Sequence, residues 1–148
     1  MHGNEPSHHI PYLYNMTDEP WKAQEYLDRI MSEMYSATPT GIVGNEDVGQ
    51  MSSWYIMSAM GFYQVTPADP TYSIGRPLFD KTTLAVEGGE FTITADNNSP
   101  HNKFVKSVTI NGQPLTDFSF EHSDIKAGGN LHFVMTGDKN QAMKADLN

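Results

Sequence analysis

Cysteine is absent from the 148 residues, which excludes disulfides and thiolate metal sites and leaves oxygen and imidazole as the groups able to hold an ion. Cations are scarce as well: nine Lys and Arg stand against 18 Asp and Glu, for a formal net charge of -9. A phosphate backbone is gripped by clustered cations, so nucleic acid is not an expected partner, whereas neutral sugars or cations are. Long apolar runs are missing too. None approaches the ~18–20 residues that span a bilayer, and residues 1–12 have neither the basic flank nor the apolar stretch of a leader, so membrane insertion is not expected. Repeats and low-complexity tracts are also lacking. A hydrophobic content of 38% with 18% charged residues is that of a globular chain with a core to bury.

The apolar pattern divides the chain into two halves. Between Thr17 and Tyr35, the residues Ala23, Tyr26, Leu27, Ile30, Met31 and Met34 recur at three-and-four spacing, which predicts an amphipathic helix. Thr17 is its expected N-cap, with Asp18 and Glu19 at the positive end and Pro20 in the first turn. A second helix is expected from about Asp47 to Met60, stopped by Gly61. Met51, Trp54, Tyr55, Ile56, Met57, Ala59 and Met60 leave it little polar surface, so it should lie between several neighbours.

After Thr66 the period drops to two and turn residues multiply. Leu84 and Val86, then Gly88-Gly89, then Phe91, Ile93 and Ala95 read as a hairpin. Phe104, Val108 and Ile110 run into Asn111-Gly112, a strong two-residue turn signal, and Leu131, Phe133 and Met135 form a last strand after Gly128-Gly129. A helical segment of about 65 residues is thus followed by a β-sandwich-like segment of about 75.

The chemistry gathers in two loops that share a Gly-Asn-Glu core: Gly3-Asn4-Glu5-Pro6-Ser7-His8-His9 and Gly44-Asn45-Glu46-Asp47-Val48-Gly49-Gln50. Glycine lets carbonyls turn inward, and amide and carboxylate oxygens are the ligands a hard cation such as Ca²⁺ selects. Glu46 and Asp47 would serve equally as acidic caps of the following helix. His8 and His9 are adjacent, so they do not form a chelating i,i+4 pair, and one imidazole touching a sugar hydroxyl fits better than zinc. Trp54 and Tyr55, at helical spacing, are read as core, and Asn97-Asn98-Ser99 as a turn.

Three segments carry a resemblance: His2-Gly3-Asn4-Glu5-Pro6-Ser7-His8-His9-Ile10-Pro11-Tyr12-Leu13-Tyr14-Asn15, Gly44-Asn45-Glu46-Asp47-Val48-Gly49-Gln50-Met51-Ser52-Ser53-Trp54-Tyr55, and Gly61-Phe62-Tyr63. With Ile74-Gly75-Arg76-Pro77-Leu78-Phe79 and Asn111-Gly112, they make the chain resemble the C-terminal part of glycoside hydrolase family 92, from about His2 to Gly137.

The resemblance implies an α+β fold: the last helices of an (α/α)6 barrel over residues 1–65, then a small antiparallel β-sandwich-like segment over 66–137, with 138–148 a frayed polar tail. It implies an inverting exo-α-mannosidase, of α-1,2 type, that needs Ca²⁺, acts on mannose-containing glycans in glycan degradation, and is periplasmic or secreted. The N-terminal domain and the earlier barrel helices would belong to the same polypeptide upstream. Asp47 is the first choice for the general base and Glu46 the second; the family's motif often has Asp where Glu46 stands. Asn4, Glu5 and Asp47 would hold Ca²⁺, and His8 and Glu5 would contact substrate. The family's general acid lies upstream of these segments, so the chain alone is expected to be inactive. A carbohydrate-binding or interaction domain without catalysis is the alternative.

Overall fold

The computed structural model describes residues 2–144. The chain enters through two 3-10 turns, Glu5–Ser7 and Ile10–Met16, each with a proline, Pro6 or Pro11, near its start. Proline suits a helix start because its φ is pre-set and its missing N–H would have no partner there. Helix α1 (Trp21–Glu33) buries Ala23, Gln24, Leu27 and Met31. It begins later than the spacing predicts, and Thr17 is not its cap. Thr17 Oγ1 instead donates to Tyr14 O (2.8 Å) and accepts from Glu19 N (3.1 Å), closing the preceding turn. Proline at 20 explains the delay, since the residue before a proline is pushed out of the helical region.

Helix α2 (Gln50–Met60) lies between two left-handed glycines, Gly49 (φ 88°) and Gly61 (φ 102°), so the expected stop is where the structure puts it. Met51, Trp54, Ser58 and Ala59 are buried, but Ile56 is 57% exposed. Among the described residues nothing covers one flank of α2.

The β-rich half comprises β1 (Phe62–Tyr63), β2 (Thr71–Ile74), β3 (Lys81–Val86), β4 (Gly89–Asp96), β5 (Phe104–Ile110), β6 (Gln113–Pro114), β7 (Ser119–Glu121), the short helix α3 (His122–Lys126) and β8 (Gly129–Thr136). One sheet has the order β1-β2-β7 and the other β3-β4-β8-β5-β6. Both predicted hairpins are present. Val86 pairs with Gly89 across Glu87-Gly88, one residue earlier than expected. Ile110 pairs with Gln113 across Asn111 (φ 49°) and Gly112 (φ 79°), both left-handed as a type I′ turn requires.

The larger sheet corrects the antiparallel expectation. Strand β8 inserts between β4 and β5, antiparallel to β5 and parallel to β4, with Ile93 opposite Leu131. Period-two spacing says which face a residue occupies but not which strand lies beside it. Residues 97–128 supply the crossover that a parallel pair needs. Phe91, Ile93 and Ala95 of β4 and Leu131, Phe133 and Met135 of β8 point into one core with Phe62, Ile74 and Phe120 of the smaller sheet.

Buried polar side chains tie the halves together. Asn15 Nδ2 donates to Ile74 O (2.7 Å), and Gln24 Oε1 accepts from Val105 N (2.8 Å). Gln24 does so where β5 is irregular, between Val105 and Ser107, so it satisfies a backbone donor beside the bulge. Arg76, only 3% exposed, sits 3.1 Å from Asp28 of α1 and donates to Pro77 O and Ser99 O.

The segment expected to fray is packed as far as the structure describes it. Lys139–Gln141 form a 3-10 turn, Met143 N donates to Val105 O (2.8 Å), and Lys139 Nζ lies 4.7 Å above the Trp21 ring. The rest of that predicted tail, residues 145–148, lies outside the described residues.

Replacing Gln24 by Ala leaves the buried Val105 N–H without its acceptor, so urea denaturation should show a loss of about 1–3 kcal/mol. The loss should come in a single transition followed alike by Trp fluorescence from the helical half and far-UV signal from the sheets.

Candidate active site

The two Gly-Asn-Glu loops touch backbone to backbone. A Cβ at Gly3 would lie 3.2 Å from Gly44 Cα, and one at Gly44 would lie 2.2 Å from Gly3 O. Glycine at both positions is therefore a condition of the approach, and Gly44 also has φ 80°. The contact carries Glu5 and Asp47 to the same place.

Three consecutive residues, Asp47 (φ 44°), Val48 (φ 58°) and Gly49 (φ 88°), are left-handed. For Val48 this is costly, because a branched Cβ crowds its own backbone there. Its side chain gains no burial in return, being fully exposed. The run separates the two acids of the motif. Glu46 turns back over α2, where Oε1 accepts from Ser52 N (3.1 Å) and Oε2 from Ser52 Oγ (2.9 Å). It therefore satisfies a first-turn donor that Gly49, with no side chain, leaves open. Asp47 is exposed and faces Glu5.

The Glu5 and Asp47 carboxyls lie close enough to interact, which splits their titration. The Glu5 carboxyl is lowered, first by a backbone N–H at its own residue and then by Asp47. The Asp47 carboxyl is raised, chiefly by the hydrogen bond and charge of Glu5. Glu5 Oε1 is enclosed and has no hydrogen-bond partner among the described residues. Asn4 is exposed beside them. Among the described residues no group of three or more His, Cys, Asp or Glu forms a metal cluster.

His8 sits behind these acids. It is 2% exposed, with Nδ1 3.2 Å from Gln50 Nε2 and Nε2 3.1 Å from Met51 Sδ. The Gln50 amide donates to Nδ1, which puts the imidazole proton on Nε2. Contact with a sugar hydroxyl would require the ring to leave these partners. Trp54, fully buried as the core reading expects, also donates Nε1 to His8 O (3.0 Å).

His2 opens the first motif, yet spacing assigns it no role. It stacks on His8 with centroids 4.9 Å apart, lies 4.1 Å from Trp54, and places Nε2 2.7 Å from Tyr35 OH. Burial and the neighbouring His8 push its pKa down to about 4, and burial lowers His8 as well. Gln50 is likewise missed by sequence reasoning, although it bridges His8 and Tyr63 OH (3.1 Å). A polar residue opening an otherwise apolar helix is the signal that could have found it.

The chain is similar to known proteins over most of its length. Residues 1–137 match the family model described as the glycosyl hydrolase family 92 catalytic domain. An uncharacterized secreted glycosidase of Arthroderma benhamiae is 27% identical over 137 residues, covering 90% of this chain and 18% of the relative. A family GH92 alpha-mannosidase from Bacteroides thetaiotaomicron, solved in complex with mannoimidazole, superposes with a TM-score of 0.88 at 41% identity, over 97% of this chain and 19% of that one. A family GH92 inverting mannosidase from Bacteroides thetaiotaomicron VPI-5482 gives 0.86 at 41% identity, over 94% and 19%. The chain thus spans about a fifth of the length of these relatives.

Val48→Gly removes the left-handed strain, a cost of ~1–2 kcal/mol, against ~0.5–1 kcal/mol for glycine's freer unfolded state. The urea midpoint should therefore rise, by the equivalent of about 0.5–1 kcal/mol.

A second outcome concerns pH. His2 titrates near 6.5 when unfolded and about 4 when folded, so below 6.5 the unfolded state binds more protons. The stability of neutral His2 is complete above pH 6.5 and is lost as pH falls toward 4. Melting temperatures should be level above pH 6.5 and decline between 6.5 and 4, and His2→Phe should reduce that decline.

Proposed function

Because this chain belongs to glycosyl hydrolase family 92, we propose that it supplies the general base and part of the cation site of an inverting exo-α-mannosidase acting on terminal α-1,2-mannosides of glycans. The observation that carries this reading is the separation of the two acids. Glu46 is occupied as a helix cap, whereas Asp47 is exposed and is held by a strained backbone against a second carboxyl.

An inverting glycosidase needs a general acid at the leaving oxygen and a base that takes a proton from water on the opposite face, the two carboxyls lying ~6.5–9.5 Å apart. Asp47 is the base in this proposal. Its raised pKa makes it a better proton acceptor than an ordinary aspartate once ionised. Glu5, with the lower pKa, carries the negative charge first and keeps the Asp47 proton affinity high.

The donor set suits Ca²⁺ in kind: the enclosed Glu5 Oε1 without a partner, the Asp47 carboxyl and the Asn4 amide are all hard oxygens. Such an ion, when bound, would offset the repulsion of the two carboxylates and draw in sugar hydroxyls. Glu5 is the substrate-facing member, and His8 acts from behind Gln50. The acid, the remaining ion ligands and most of the sugar pocket fall to the remainder of the family's catalytic domain, whose earlier barrel helices would cover Ile56 and the nearby Ile42 and Val43. The chain alone is inactive in this reading. A secreted or periplasmic location accords with the name of the Arthroderma relative.

Calorimetric titration with calcium chloride tests the assignment. The chain should bind Ca²⁺, and Asp47→Ala should weaken binding at least about tenfold, the loss of one charged ligand being worth more than ~1.4 kcal/mol. Glu46→Ala should instead leave binding in place and lower stability by about 1 kcal/mol, as a lost cap does. Equal calcium affinity in the parent and Asp47→Ala would overturn the metal role. In a polypeptide that joins the chain to the rest of the catalytic domain, Asp47→Ala should lower kcat by ~10²–10⁴ at saturating calcium.

A further inference from the structure

A cleft of about 470 Å³ opens between α1, the β2–β3 connection and the β4–β5 loop, and shares no residue with the two Gly-Asn-Glu loops. Asp28, Ser32, Arg76, Asp80, Asn98 and Ser99 supply its polar lining. The volume lies within the ~300–1,000 Å³ of small-molecule sites.

Its hydrogen-bonding capacity is unbalanced. Arg76 spends Nη1 on Pro77 O (2.8 Å) and Nη2 on Ser99 O (3.1 Å), and its Nε, 3.1 Å from Asp28 Oδ1, is not aligned for a hydrogen bond. Asn98 donates Nδ2 to Leu78 O (3.1 Å), which leaves Oδ1 enclosed and unpartnered. Ser32 donates to Asp28 O (2.7 Å) and keeps its acceptor lone pairs. The exposed Asp80 carboxylate makes no hydrogen bond or ion pair among the described residues. Acceptors therefore outnumber donors, and an enclosed acceptor without a donor is costly.

Charge narrows the ligand further. An anion would meet Asp28 and Asp80, and a metal cation would meet the Arg76 guanidinium already held at Asp28. A molecule with several neutral O–H donors meets neither obstacle. Leu78 and Pro100 add apolar wall. Apolar wall beside acceptors for hydroxyl groups suits a pyranose, which has an apolar C–H face and a polar rim. We propose that this cleft is a second carbohydrate-binding site, taking a neutral pyranoside, independent of Asp47.

The test is a ¹H–¹⁵N NMR titration of the chain with methyl α-D-mannopyranoside. Saturable shifts are expected in the amides of residues 28–32, 76, 78–80 and 98–99, with a dissociation constant in the millimolar range. Asp80→Ala, which removes a carboxylate that makes no hydrogen bond or ion pair among the described residues, should weaken binding about tenfold or more, and Asp47→Ala should leave it unchanged. Asn98→Ala should weaken it too, with Asp80→Ala deciding the matter if that variant fails to fold. The proposal is overturned by an absence of saturable shifts at the cleft, by shifts confined to residues 2–9 and 44–50, or by unchanged affinity in Asp80→Ala. Calcium chloride in place of sugar should leave the cleft amides still; shifts there with calcium alone would overturn the neutral-ligand assignment.

Discussion

The arrangement of the candidate active site depends on the closeness of Gly3 and Gly44, where two backbones meet with no room for a side chain. Neither loop has a strand or helix to hold it at that point. Each is positioned by the element on its C-terminal side. The first loop runs into the proline-started turns that lead to α1, and the second into α2. Trp54 joins the loops to the helices, since its ring fills the core of the helical half while its indole N–H holds His8 O. A change in helix packing there would therefore move the backbone of the first loop.

The two halves of the chain do not separate energetically as cleanly as they do in pattern. Asn15, Gln24 and Arg76 each carry a buried polar group across the boundary, and each meets backbone or charge that would otherwise be unsatisfied. Such contacts add little net energy while intact but penalise any relative movement, because separation exposes several desolvated groups at once. The effect is positional precision. Lys103 with Glu25 and Lys139 over Trp21 continue the same seam toward the surface.

Much of this was legible in the residues. The stop at Gly61, the Asn111-Gly112 turn and the inward faces of β4 and β8 followed from spacing and backbone preference alone. The glycines of the two loops were read only as letting carbonyls turn inward; the contact of Gly3 with Gly44 came from the structure. Three things were not legible. The place of β8 beside β4 is a long-range choice that no local period encodes. Thr17 offered a capping side chain, yet Pro20 decided where α1 begins. Spacing alone did not separate Glu46 from Asp47, which only the resemblance ranked; the left-handed run 47–49 turns one toward the helix and the other toward Glu5. The histidines obeyed the same logic, because adjacency in sequence could not show that His2 rather than His9 would stack on His8.

The insertion of β8 between β4 and β5 also sets the order in which the chain can assemble. Until residues 129–136 leave the ribosome, β4 and β5 have no common neighbour, and the β3–β4 and β5–β6 hairpins are separate ribbons with bare edges. Each presents unpaired N–H and C=O groups of the kind that recruit a foreign strand. Closure of this sheet waits on β8, and the pairing of residues 91–96 with 129–134 closes a long loop in one step. The aggregation-exposed interval of synthesis therefore spans most of the β-rich half, and a nascent chain stalled within it holds two half-sheets without the strand that makes them one.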